Sequence, residues 1–219
     1  MQPSEPIRHT ITEQRALVYK LLSDCYQSPD EHTIEKFQHS ADLAADVFPE
    51  INQPENPNGQ SENIETLKVD HARLFVGPFS LLAPPYGSMY LDHTEHLMTD
   101  SSMDVQQWYL AEGMDVAIHE VPDHIRIELE FMYYLIYKDL QKHTPDPVTE
   151  KILEMEPVDL SYIEKQQKFL QNHLGKWIPG FVKKVVEQSG TKFYKELAKL
   201  TAGFIKADIK FLQKQNDSK

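Results

Sequence analysis

VPDHIRIELEFMYYLIYKDL, residues 121–140, decides how this chain folds. Its portion IRIELEF alternates apolar and polar side chains over seven residues, the pattern of a half-buried strand. The longer window carries a helical period instead. Ile125, Leu129, Met132 and Ile136 share one face, and Ile127, Phe131, Tyr134 and Leu135 widen it until most of the helix is enclosed by its neighbours. Arg126 and Glu130, four apart, can pair on the wet side, while His124 and Glu128 project together toward another. Pro122 fixes the approach to the first turn. Asp123 stands where a carboxylate accepts free helix N–H groups and meets the positive end of the macrodipole. Two readings follow. Asp123 is an N-cap and Glu128 holds His124 at an interface, or Asp123 and His124 are exposed on a rigid helix start and form a polar recognition point.

The neighbouring segments are helical as well. Thr10 and Glu13 have capping-box spacing ahead of Leu17, Val18, Leu21, Leu22 and Cys25, which predicts a first helix ending near Ser28-Pro29. Ile34, Phe37, Ala41, Ala44, Val47 and Phe48 predict a second from about His32, closed by Pro49. Residues 49–61, PEINQPENPNGQS, read as an exposed connection. Ile64, Leu67, His71, Leu74 and Phe75 set up a third helix that Gly77-Pro78 ends, because proline cannot continue the hydrogen-bond ladder. Further helices are expected from Ser101 or Ser102 to Gly113, around Ile152–Met155, and over about 159–174, 180–188 and 191–214. The class is therefore all-α, one compact domain over 1–219, with room for two helical halves, about 11–113 and 122–214, joined near 114–123. The segment GPFSLLAPPYGSMYLD, residues 77–92, is irregular yet apolar, so it must pack against something; beside Asp123 and His124 it would offer a groove for a peptide carrying positive charge next to hydrophobic side chains.

Composition narrows the function. The formal net charge of −12 has the wrong sign for nucleic acid and suits a cationic partner or plain solubility. Cys25 is the single cysteine, which excludes an internal disulfide and a cysteine-rich metal site; among Leu21, Leu22 and Tyr26 it reads as a small buried hydrophobe. The N-terminus has no apolar signal region and the chain no run of about 18 uncharged apolar residues, so a cytoplasmic location without membrane insertion is expected. His93 and His96 with Asp92 and Glu95, or Asp70 with His71, could hold a metal on a bundle. A helical-bundle oxidoreductase using His71, His93, His96 or the His124 and Glu128 pair is accordingly the enzyme alternative. The paired Glu-x-x-His units of a dimetal site are missing, and Ser88 in YGSMY lacks the strand and helix context of a hydrolase nucleophile. No catalytic residue, metal or cofactor is assigned from the residues.

Two stretches together, RLFVGPFSLLAPPYGSMYLD (73–92) and VPDHIRIELEFM (121–132), resemble the TorD/DmsD-type cytoplasmic chaperones that mature molybdenum-dependent reductases. FLQNHLGKWIPGFVKKV, residues 169–185, is similar to the family's late helix, so the likeness spans about 11–212. The resemblance implies an all-helical protein, monomer or homodimer, with no catalysis. It would bind the twin-arginine leader of a molybdoenzyme catalytic subunit and retain that partner until its molybdopterin is inserted; an adaptor for a leaderless subunit is the nearby alternative. Carried over by motif, the peptide-binding residues would be Asp123 and His124 with Pro122 and Glu128, then Leu74, Phe75, Gly77 and Pro78, and Pro85, Tyr86 and Tyr90 of the segment around Pro84. Gly113 matches the glycine ahead of the Pro-Asp-His motif. Gly87 stands where the family often has glutamate and His71 where an aromatic is common, and the first departure bears on any acidic contact from that loop to a leader arginine.

Overall fold

The computed structural model describes residues 5–54, 62–77, 81–93, 96–117, 120–142 and 161–216. Its helices are α1 (Glu5–Cys25), α2 (Thr33–Val47), α3 (Ile64–His71), α4 (Ser88–Leu91), α5 (Asp100–Ala111), α6 (Ile125–Lys142), α7 (Tyr162–Asn172), α8 (Leu174–Gln188) and α9 (Lys192–Asn216). Among the described residues there is no strand, and the class is all-α as the periodicity indicates. The stretch that could have been a strand is α6, and its Leu129, Met132, Leu135 and Ile136 are fully buried. That enclosure is what the helical period predicts and a strand pattern would not give.

α1 packs along α6 and α2, and α9 crosses α7 and α8. The core runs between them. Val18, Tyr19 and Leu22 of α1 meet it from one side, and Leu174, Ile178 and Phe181 of α8 and Leu197 and Phe204 of α9 from others. One polar cluster is threaded through this apolar mass. Arg15 donates to Asp208 from Nε at 2.6 Å and Nη2 at 2.9 Å and reaches Gln166 at 3.0 Å, while the Tyr19 hydroxyl donates to the same carboxylate at 2.8 Å. Both charges are buried, so the bidentate geometry is what makes their desolvation tolerable.

Several boundaries differ from the expectation. α1 starts at Glu5, so Thr10 lies inside the helix rather than at its cap. α8 begins at Leu174, not Gly180, and passes through Pro179. The break sits instead at His173, whose φ of −123° and ψ of −94° separate α7 from α8. Proline removes only its own donor, and the apolar spacing Leu174, Trp177, Ile178, Phe181, Val185 runs unbroken across it into buried positions, so packing carries the helix past the fault. The expected exposed connection is only partly seen: Ile51 and Pro54 are buried, and 55–61 lie outside the described residues, as does the helix expected around Ile152–Met155.

α3 does not stop cleanly at its proline. Its last turn, Ala72–Val76, widens into a π-helix in which the Gly77 N–H donates to the Ala72 carbonyl at 2.6 Å. The extra residue rotates the helix enough for adjacent Leu74 and Phe75 both to face the core. Gly77 then takes φ +28°, a left-handed value for which a side chain would be strained.

Candidate peptide-binding site

Beyond α3, Ala83 lies back against the π-helix, its N–H donating to the Leu74 carbonyl at 3.0 Å. Residues 85–87 next pair antiparallel with the start of α6. Ile125 N–H donates to the Pro85 carbonyl at 2.8 Å, Gly87 N–H to the Asp123 carbonyl at 2.9 Å, and Tyr86 and His124 form an isolated β-bridge. Prolines 84 and 85 favour this extended course because they disfavour helix for the residue before them. The two motif stretches, about thirty residues apart in sequence, thus become one structural unit at the mouth of the core.

Asp123 is not the exposed group that the recognition reading expected: it is 1% exposed. Nor does it cap its own helix. Its Oδ2 accepts the Ser88 N–H at 2.6 Å and so caps α4, while Oδ1 is buried without a hydrogen-bond partner. Asp123 therefore ties the loop 83–88 to α6 from beneath. Tyr109 adds a second tie, its hydroxyl donating to the Pro122 carbonyl at 2.9 Å.

His124 is half-buried and is not held by Glu128. Its Nδ1 accepts the Arg126 N–H at 3.1 Å, which leaves the proton of the neutral ring on Nε2, and its ring meets Tyr86 edge-on at 5.3 Å. Burial, with the Arg126 and His71 charges adding to it, pushes the imidazole down to about 4. Glu128 is 1% exposed and turns inward, where Oε1 accepts the indole N–H of Trp177 at 3.1 Å and Oε2 is unpartnered. Burial and the nearby Asp123 carboxylate push this acid well above the usual carboxylate range, against the smaller opposing effect of the Trp177 hydrogen bond. The helical spacing places His124 and Glu128 four apart, but the loop backbone satisfies one and α8 the other.

Trp177 also explains Gly87. A Cβ there would lie 2.9 Å from the indole Nε1 and 3.2 Å from Glu128 Oε1, so the loop closes over Trp177 only because position 87 has no side chain. Tyr90 stacks on the same indole at 5.7 Å and donates to the Pro84 carbonyl at 2.8 Å. Trp177 and Tyr109 are the residues that sequence reasoning missed. Each reads as plain core from its helix, and only the folded contact reveals it.

Among the sequence-predicted residues, Tyr86, Tyr90, His124 and Gly77 keep partial exposure. Pro85, Pro122, Asp123 and Glu128 lie just beneath them. Leu74 and Phe75 are buried, the latter among His71, Tyr26, Phe181 and Tyr194, and act as scaffold; Pro78 lies outside the described residues. Among the described residues no three His, Cys, Asp or Glu side chains converge on a metal position. Asp70, pulled down to about 2, is taken up by Ser189, Thr191, Arg73 and the Gly190 N–H against the cost of its burial. Asp92 binds Thr99 and Ser101.

The model of the nitrate reductase delta subunit family matches residues 29–183, which include both paired stretches. The chain belongs to that family. Within it the TorD/DmsD type is represented among the similar proteins. Chaperone protein TorD of Aliivibrio fischeri is 28% identical over 217 residues, 91% of this chain and 95% of the relative. The Tat proofreading chaperone DmsD of Salmonella typhi is 27% identical over 138 residues, 62% of this chain and 57% of the relative. A putative redox enzyme maturation protein from Archaeoglobus fulgidus superposes with a TM-score of 0.48 at 21% identity, covering 97% of this chain and 96% of that one. In this delta subunit family member, no helix among the described residues is long and apolar enough to cross a membrane.

Proposed function

We propose that this delta subunit family member is a chaperone for a molybdoenzyme, one that binds the twin-arginine leader of the catalytic subunit and retains the apo form until molybdopterin is inserted. The carrying observation is the pairing of residues 85–87 with 123–125, which sets Tyr86 and His124 side by side at partial exposure over a buried base. Such a surface offers aromatic faces to apolar side chains and to guanidinium planes. The names of the TorD and DmsD relatives, which describe chaperones and Tat proofreading, support the same reading. No chemical step is assigned to the protein.

Within this reading Asp123 is a positioning residue. Its carboxylate holds the loop through Ser88, and the groups that meet the leader are those above it. The net charge of −12 draws a basic leader toward the surface and raises the encounter rate.

Calorimetric titration with a synthetic twin-arginine leader, beside a version with both arginines changed to lysine, tests the function. Micromolar or tighter binding that the lysine version loses is the expected result, because lysine keeps the charge but not the planar fork. Absence of binding to leaders of molybdoenzymes would refute it.

A further inference from the structure

Between α6 and residues 114–117 and 120 lies a second concave surface, of about 320 Å³. Met114, Val116, Ile127, Tyr133 and Tyr134 give it an apolar lining, and Asp115, Glu120 and Glu130 bring three carboxylates to it. Its size is at the lower end of pockets that enclose small ligands, enough for a few side chains of a peptide but not for a folded domain.

The rim already shows what it takes. Arg126, at the start of α6, reaches Glu120 from one guanidinium nitrogen and Glu130 from the other, the second contact at 3.5 Å. Lys20 of α1 approaches Glu130 as well, at 3.3 Å. Among the described residues, the Asp115 side chain accepts the N–H of the adjacent Val116 alone, at 2.8 Å. Glu120 and Glu130 have side-chain exposures of 42% and 44%, so both pairs to Arg126 are wet, weak and readily exchanged. An incoming guanidinium can take over both carboxylates without leaving either unpaired. Released Arg126, 21% exposed, needs only to swing into water.

We infer that this groove receives the apolar stretch of the leader, with a leader arginine displacing Arg126 from Glu120 and Glu130. The inference rests on the leader reading above and adds to it a second contact area and an internal competitor. Charge and shape agree on the occupant: an apolar lining beside carboxylates that already bind a guanidinium fits a peptide in which arginine adjoins hydrophobic side chains.

The test uses the full chain and the same synthetic leader. Arg126→Gln removes the competitor and is expected to tighten binding about two- to fivefold, the scale of one exposed ion pair. Glu120→Gln with Glu130→Gln is expected to weaken it about tenfold or more. Urea denaturation of each variant checks that it stays folded. Cys25 is buried, so Ala117→Cys can be labelled alone at the groove with an environment-sensitive dye, whose emission should change on leader binding. A leader that binds the wild type but whose affinity is unmoved, or falls, in Arg126→Gln and is unmoved in the glutamine pair, with a silent dye, overturns the groove and leaves the leader function standing. A wild type that binds no leader overturns both.

Discussion

His124 should make the protein acid-labile through its own protonation. The ring is neutral because burial and the Arg126 and His71 charges hold it at about 4, against an ordinary value of 6.5. A depressed histidine means that the unfolded chain binds a proton which the folded one refuses. Its contribution is therefore fully present above about pH 6.5 and is lost as the pH falls toward 4. At about 1.4 kcal/mol per unit, the gap between those two values corresponds to about 2.5 kcal/mol lost by pH 4.5. For a urea slope of roughly 2 to 3 kcal/mol per molar, the midpoint moves down by about 1 M. The assay compares urea midpoints of the wild type and His124→Gln at several pH values from 7.5 to 4.5. Glutamine keeps an acceptor for the Arg126 N–H but cannot titrate. The variant will differ by a constant amount through its lost contact with Tyr86; only the change of that difference with pH reports the imidazole. A difference that stays flat from pH 7.5 to 4.5 would refute the reasoning, and with it the enclosure of the ring by the paired loop.

Asp123 separates positioning from direct contact. Asp123→Asn retains an acceptor for Ser88 N–H and should keep leader binding within a few-fold, while Asp123→Ala should lose about 1 to 2 kcal/mol of stability and most of the affinity; loss in both variants at equal stability would mean that the charge itself meets the leader. Glu128→Gln keeps an acceptor for Trp177 but removes an acid whose folded value is raised, so its stability relative to the wild type should grow as pH rises above about 4.5 in denaturation curves, and a relative stability that shrinks with pH would contradict the upward shift of Glu128. Gly87→Ala should cost about 1 to 3 kcal/mol by pressing on Trp177, visible as a lower urea midpoint and altered indole fluorescence. Asp208→Ala leaves Arg15 buried without its partner and should cost about 3 to 5 kcal/mol in the same assay.

The sequence exposes α6 well because a broad apolar stripe survives every local ambiguity; the two-residue alternation of IRIELEF is too short to outweigh it. It exposes α8 poorly, since Pro179 is a local breaker and the decisive contribution, burial of Trp177, Ile178 and Phe181, is tertiary. The same division holds at the site. The motif stretches 73–92 and 121–132 carry the family likeness, and the structure joins them through backbone pairing that no side-chain pattern encodes. Spacing puts Glu128 beside His124, but Trp177 lies 49 residues further on and draws Glu128 inward. Asp123 shows the limit most clearly. A carboxylate two residues before a helix looks placed for a cap, yet the free N–H it satisfies belongs to α4.

That arrangement gives the buried acid pair a role beneath the proposed binding surface. Asp123 Oδ1 and Glu128 Oε2 both lack partners, as does Ser88 Oγ, and each unsatisfied buried polar group costs roughly 1 to 3 kcal/mol. Apolar side chains of the same shape would make a more stable base, but they could not hold Ser88 N–H and the Trp177 indole in place, and the loop carrying Tyr86 and Tyr90 would lose its register on α6. The stability needed to tolerate this lies elsewhere, in the α1, α8 and α9 core and the Arg15–Asp208 pair. Binding and stability are thus separable in this fold. Asp208→Ala should lower the urea midpoint and leave leader affinity unchanged in the fraction that remains folded, whereas Asp123→Ala should cost only the smaller amount of about 1 to 2 kcal/mol and yet lose most of the affinity.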